Sequence, residues 1–172
     1  MKKIIYFLVI ASFICSCSQR YESEAKAQME KTMKELAKDP SSVQITNLKT
    51  MFANDSICVL QFNFSGKNGF GGVASDFIEY IYFTVKRKGK STTYEKILNL
   101  SDGKKSIMEN AKRQYQETEE KKWYSDDSYY GKLSKEDRKA YTIHSYATLM
   151  YSTFNPRIVK GDEAKANDMD EW

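Results

Sequence analysis

Apolar positions are grouped along the chain. Residues 4–14 are apolar apart from Ser12. The pattern then turns periodic. Tyr21, Ala25, Met29, Met33, Leu36 and Ala37 recur at spacings of three and four, with Lys and Glu between them. That stripe predicts a helix over 21–38. Asp39-Pro40 ends it, because proline disfavours the helical conformation in the residue before it. Asp39-Pro40-Ser41-Ser42 then reads as a turn, in which Asp and Ser can bond nearby backbone.

Four strands are expected next. In 43–52, Val43 and Ile45 share one parity while Leu48 and Phe52 share the other, so a bulge is predicted near Asn47. Ala53-Asn54-Asp55-Ser56 reads as a hairpin loop. In 57–64, Cys58, Leu60, Phe62 and Phe64 fall on one face, and Ile57, Val59, Gln61 and Asn63 on the other. The segment 77–85 is apolar or aromatic at both parities, as in a central strand covered on both sides. Lys88-Gly89-Lys90 marks a tight turn into a fourth strand over 92–100.

Ser106-x-x-Glu109 matches a capping box and opens a polar helix over 107–124, whose stripe of Ile107, Ala111 and Tyr115 then fades. An aromatic, acidic loop follows over 123–131. A last helix opens at Ser134-x-x-Asp137, carries Ala140, Ile143, Ala147, Met150 and Phe154, and ends at Asn155-Pro156. The expected class is α+β: an N-terminal helix packed on a four-stranded, mainly antiparallel meander, followed by two C-terminal helices. Residues 17–160 would form a single domain and 161–172 a flexible polar tail.

Composition narrows the function classes. A charged fraction of 29% and a hydrophobic fraction of 41% are globular values. One His and three Cys exclude a multi-His metal site and a disulfide framework, and no cofactor is implied. The 27 Lys and Arg against 23 Asp and Glu leave too small an excess to argue for nucleic acid or a polybasic surface.

The front of the chain reads as an address. Lys2 and Lys3 precede the apolar run, as in a secretory signal peptide, and the run is shorter than the ~20 residues of a membrane span. It ends in Ile14-Cys15-Ser16-Cys17-Ser18, which resembles the relaxed lipobox of bacterial lipoproteins of the Bacteroidota. Ser16 fills the small-residue position before Cys17, and Ile14 the aliphatic one. Cys15 fits less well, with bulky Ile14 before it. The resemblance implies removal of residues 1–16, lipid on the Cys17 sulfur and a domain held on the bilayer. Ser18, rather than Asp, then favours the outer membrane, and the weakly acidic Ser18-Gln19-Arg20-Tyr21-Glu22 its periplasmic face.

Candidate chemistry is sparse. Lys67, Asn68, Gly69, Phe70, Gly71 and Gly72 form a Gly-rich stretch that could nest an anion on backbone N–H groups or simply connect two strands. Lys38-Asp39-Pro40-Ser41-Ser42, then Cys58 on a strand, then this stretch is similar to a KDP-x-S … KN-x-FGG pattern of small exported bacterial proteins and lipoproteins. The resemblance covers residues 38–83 and departs from the pattern at Val59 and Val73. It implies the helix–meander fold and an exported setting, and it brings no catalytic residue.

Cys58 and His144 are a nominal nucleophile and base, but Cys58 sits in an apolar strand run, where a buried inert thiol is expected. Glu79, flanked by apolar residues, could serve a carboxylate-dependent glycan hydrolase or pair with a lysine on a neighbouring strand. Asp126-Asp127 supplies too few oxygens for a calcium loop. Trp123, Tyr124, Tyr129 and Tyr130, with Tyr115, could present a stacking surface or cap the open side of the sheet. The resulting expectation is a non-catalytic envelope lipoprotein that binds a protein or glycan. A periplasmic inhibitor or immunity lipoprotein against a toxin is the alternative, with the glycan hydrolase third.

Overall fold

The computed structural model describes residues 2–67, 72–154 and 157–161, with side chains placed over 19–147 within these ranges and again over 157–161. Helix α1 runs over Lys2–Leu36, followed by a single 3-10 turn at Pro40–Ser42. Strands β1 (Gln44–Ala53), β2 (Ile57–Lys67), β3 (Val73–Arg87) and β4 (Lys90–Asn99) form an antiparallel meander. Helices α2 (Ile107–Lys121) and α3 (Lys135–Phe154) follow, and a short β5 (Arg157–Lys160) closes the chain's path. The sheet therefore has five strands in sequence order, one more than expected. β5 pairs antiparallel with β4, matching Ile158 to Tyr94. Among the described residues no helix is long and apolar enough to cross a membrane.

Both faces of the sheet are covered. Cys58, Leu60 and Phe62 of β2 and Ile78, Tyr80 and Tyr82 of β3 pack on Ala25, Met29 and Met33 of α1. The opposite parity, Ile57, Val59, Ile81 and Phe83, packs with Tyr94 and Leu98 on Ile107, Met108 and Ala111 of α2 and Ile143 and Ala147 of α3. Two-sided burial explains the apolar run of β3, since every position from Ile78 to Phe83 leaves water, while Phe77 at its start stays 41% exposed. Each such large side chain contributes about 1.5–3 kcal/mol.

The phase change in β1 is a pair of bulges. Thr46 lies opposite Asn63 and Lys49 opposite Gln61, so one extra residue is inserted, and Asn47 absorbs it at φ 55°. A second irregularity between Thr50 and Phe52 turns Phe52 to the α2–α3 side, opposite Val59. Asn tolerates the left-handed backbone better than most residues, which is why the bulge falls there.

Polar contacts fix α1 against the sheet. Tyr21 Oη lies 2.9 Å from Thr84 Oγ1 and donates to Ser56 O at 3.1 Å. Tyr82 Oη donates to Glu24 at 3.0 Å. Thr32 and Tyr80 hydroxyls donate to one oxygen of buried Glu95 at 2.8 and 2.6 Å. The other Glu95 oxygen has no hydrogen-bond partner but stands 3.4 Å from Arg157 Nε, whose Nη2 reaches Glu35 of α1 at 2.8 Å. Arg157 thus ties β5, β4 and α1 together, and Lys160 makes a further ion pair with Glu24.

Candidate functional site

The loop between α2 and α3 gathers most of the aromatic residues singled out above. α2 is buried only through Ile107, Met108 and Ala111, its first turns. Beyond them its end and the start of α3 are held by their own contacts. Lys122, at φ 46°, ends α2, and the Trp123 N–H bonds Thr118 O at 3.2 Å. Ser134 Oγ accepts the Asp137 N–H at 3.1 Å, as the cap pattern predicts.

Arg138 is the centre of this tip. Its Nε and Nη2 bond the two Glu119 carboxylate oxygens at 2.6 and 2.9 Å, and Nη1 bonds Leu133 O at 2.6 Å. The fork geometry suits guanidinium and carboxylate, and bidentate pairs are the stronger kind. The Arg138 side chain beside Glu119 holds that carboxyl below its usual range. The guanidinium also lies 5.1 Å from the Tyr124 ring and 5.9 Å from that of Tyr130, within cation–π range.

Around this pair the rings stand edge to face. Centroids of Tyr124 and Tyr130 are 5.1 Å apart, Tyr130 and Tyr141 5.8 Å, and Tyr129 and Tyr141 6.0 Å. Tyr124 and Tyr130 are half-buried. Trp123, Tyr129 and Tyr141 are 57%, 71% and 47% exposed, and Lys121 Nζ sits 4.5 Å over the Trp123 ring. The loop folds back closely at Ser125–Gly131. Ser128 and Gly131 N–H groups bond Ser125 O and Ser128 Oγ at 3.0 Å each. A Cβ on Gly131 would stand inside contact distance of Ser125 O and Asp126.

Of the four predicted surface aromatics, Trp123 and Tyr129 are therefore outward, while Tyr124 and Tyr130 are the packing beneath. They do not cap the sheet. Tyr141, Arg138 and Glu119 were missed, because only the antiparallel approach of α2 and α3 brings them to the loop.

The other candidates fall elsewhere. Cys58 is buried on the α1 side, and burial pushes its thiol up to about 12. His144 lies on the α3 side, its Nε2 3.1 Å from Thr84 O, so the sheet separates the two. Glu79 is fully buried. Its Oε1 accepts the Ile107 N–H at 2.6 Å, and its Oε2 accepts Ser106 Oγ at 2.6 Å and Gln61 Nε2 at 2.8 Å. The expected lysine partner is replaced by the N-terminus of α2, where backbone N–H groups favour an acid. The capping box is correspondingly altered: Ser106 Oγ accepts the Glu109 N–H at 3.2 Å and donates to Glu79.

Asn68, Gly69, Phe70 and Gly71 lie outside the described residues. Lys67 and Gly72 flank them, and the Lys67 N–H already bonds Ser42 Oγ at 2.8 Å, which removes it from an anion nest. That bond joins the Asp39–Ser42 turn to the Gly-rich segment, so the two quoted motifs meet at one corner. Cys17 falls within α1, its side chain outside the described set. No group of His, Cys, Asp and Glu among the described residues could hold a metal. Comparison of the chain with protein-family models, curated proteins and solved structures finds no match, so the tip must be read from its own chemistry.

Proposed function

We propose that this chain is a non-catalytic envelope lipoprotein, acylated at Cys17 on the periplasmic face of the outer membrane, that docks on another macromolecule through the α2–α3 tip. One observation carries the docking reading: Trp123 and Tyr129 of the loop and Tyr141 of α3 are exposed together over an underside fixed by the Arg138–Glu119 pair and the Tyr124–Tyr130 packing. Rigid, outward aromatic rings offer large contact area at little entropic cost, and Trp and Tyr are enriched among the residues that dominate interfaces. Support for the anchor is the lipobox resemblance at Ile14–Cys17, together with a helix that runs without interruption from that point into the core.

The experiment uses the full chain expressed in its native envelope. A photo-crosslinking residue at Tyr129 is expected to give a discrete adduct that disappears with Trp123→Ala and Tyr141→Ala. Absence of an adduct, or the same adduct from a probe at Lys49 on β1, overturns the assignment of the tip. Cys17→Ala is expected to abolish fatty-acid labelling and release the protein from membranes; unchanged labelling would move the modification to Cys15.

A further inference from the structure

We infer that the β3–β4 hairpin, through Lys86, Arg87, Lys88 and Lys90, makes a second, electrostatic contact with anionic phospholipid headgroups of the bilayer that holds Cys17. This rests on the acylation proposed above. α1 runs antiparallel to β3: Tyr21 meets Thr84 at one end, and Met33 shares a groove with Ile78 at the other. Cys17 is four residues before Tyr21 in the same helix, ~6 Å at 1.5 Å per residue. Past Thr84, β3 continues in the same direction to the turn at Lys88, four residues and ~13 Å further in extended geometry. The hairpin thus reaches at least to the level of the lipidated residue. The neighbouring β1–β2 turn stops at Thr84, whose N–H bonds Ser56 O at 2.8 Å.

The four cations of this hairpin are exposed, as is Arg20 one turn from Cys17. Arg87 and Lys90 stand opposite each other across the ladder, each with an interaction of its own, and one local rule is broken in the turn between them. Lys88, at φ 46°, precedes Gly89 at φ 75° in a turn whose first position favours Asn or Gly. Departures of this kind from locally optimal sequence are expected where function sets the residue. The small net charge of the whole chain hides this concentration. A negatively charged headgroup layer is the matching partner, and it acts only within a Debye length of ~10 Å at 0.1 M salt, which the tether supplies.

The test is amide hydrogen exchange on the full acylated protein in vesicles of phosphatidylcholine alone and of phosphatidylcholine mixed with phosphatidylglycerol. The expected result is several-fold slower exchange over 86–91 in the anionic vesicles, reversed by ~0.5 M salt. It should vanish in the combined variant Lys86→Gln, Arg87→Gln, Lys88→Asn, Lys90→Gln, in which Asn suits the left-handed position and preserves the turn. Equal exchange in both vesicles overturns the contact. That includes equal protection by the acidic segment 162–172, which carries five carboxylates and one lysine and follows Gly161. Mass spectrometry of the same sample separates the two failures: an unmodified Cys17 removes the tether, while an acylated Cys17 with unchanged exchange rejects the hairpin contact alone.

Discussion

Glu79 shows how far a single side chain can be misread when only its neighbours in sequence are known. Flanking apolar residues correctly announce burial. They do not reveal that its partners are Gln61, 18 residues earlier, and the Ser106–Ile107 helix start, 27 and 28 residues later. Glu79→Ala leaves the buried Ile107 N–H and Ser106 hydroxyl without their acceptor and is expected to cost about 3 kcal/mol in urea unfolding, with Glu79→Gln costing less because one acceptor remains. Lys96 makes a pH-dependent counterpart. It faces the α2–α3 side opposite Ile81, and burial, with a smaller repulsion from Lys104, lowers its ammonium to about 8. The folded state therefore sheds a proton that the unfolded chain keeps up to ~10.4. The Lys96 contribution to stability is expected to rise with pH between about 8 and 10. It is offset from ~8.5 upward by Cys58, whose buried thiol keeps a proton that the unfolded chain sheds. Lys96→Met should therefore make the urea midpoint fall with pH over a range where the parent stays nearly level. The Tyr80 and Tyr82 phenols, pushed upward by burial, add to the opposing effect above that window.

Elements divide by how much of their environment is local. The α1 stripe from Tyr21 to Met33, the Ala140, Ile143 and Ala147 part of the α3 stripe and the both-parity run of β3 were legible because 3.6- and 2-residue periods record which faces leave water. Leu36, placed on the α1 stripe, is 62% exposed, and the Met150 and Phe154 side chains lie outside the described residues. Asn47 marked its bulge by the change of phase around it. β5 left no comparable mark: four residues with Ile158 and Val159 at the centre are too few to show a period, and they form a strand because β4 presents an edge and Glu95 attracts Arg157. The aromatic loop was visible as a composition but not as a surface, since which rings face outward depends on how α3 passes α2. Its backbone is the vulnerable part. Gly131→Ala is expected to force Ser125 and Asp126 apart and to speed amide exchange at Ser128 and Gly131, while leaving the two sheet-facing cores intact in the melting profile.

At the scale of the whole molecule, the sheet carries a separate apolar core on each face. The N-terminal helix serves one, and the helical pair with the aromatic tip serves the other. The exposed rings therefore belong to the layer that α1 does not touch, while the cationic hairpin continues β3 beyond the start of α1's packed segment. Such a division lets a contact at the tip form without disturbing the attachment of α1.

That attachment also has a mechanical meaning. A pull on the leading end of α1 is directed along its axis and nearly along β3. The bonds from Tyr21 to Thr84, from Tyr82 to Glu24 and from Thr32 to Glu95 then bear the load together, in shear, instead of parting one after another as in peeling. Resistance to such a pull is therefore the sum of several side-chain bonds spread along one helix and not the strength of any single one.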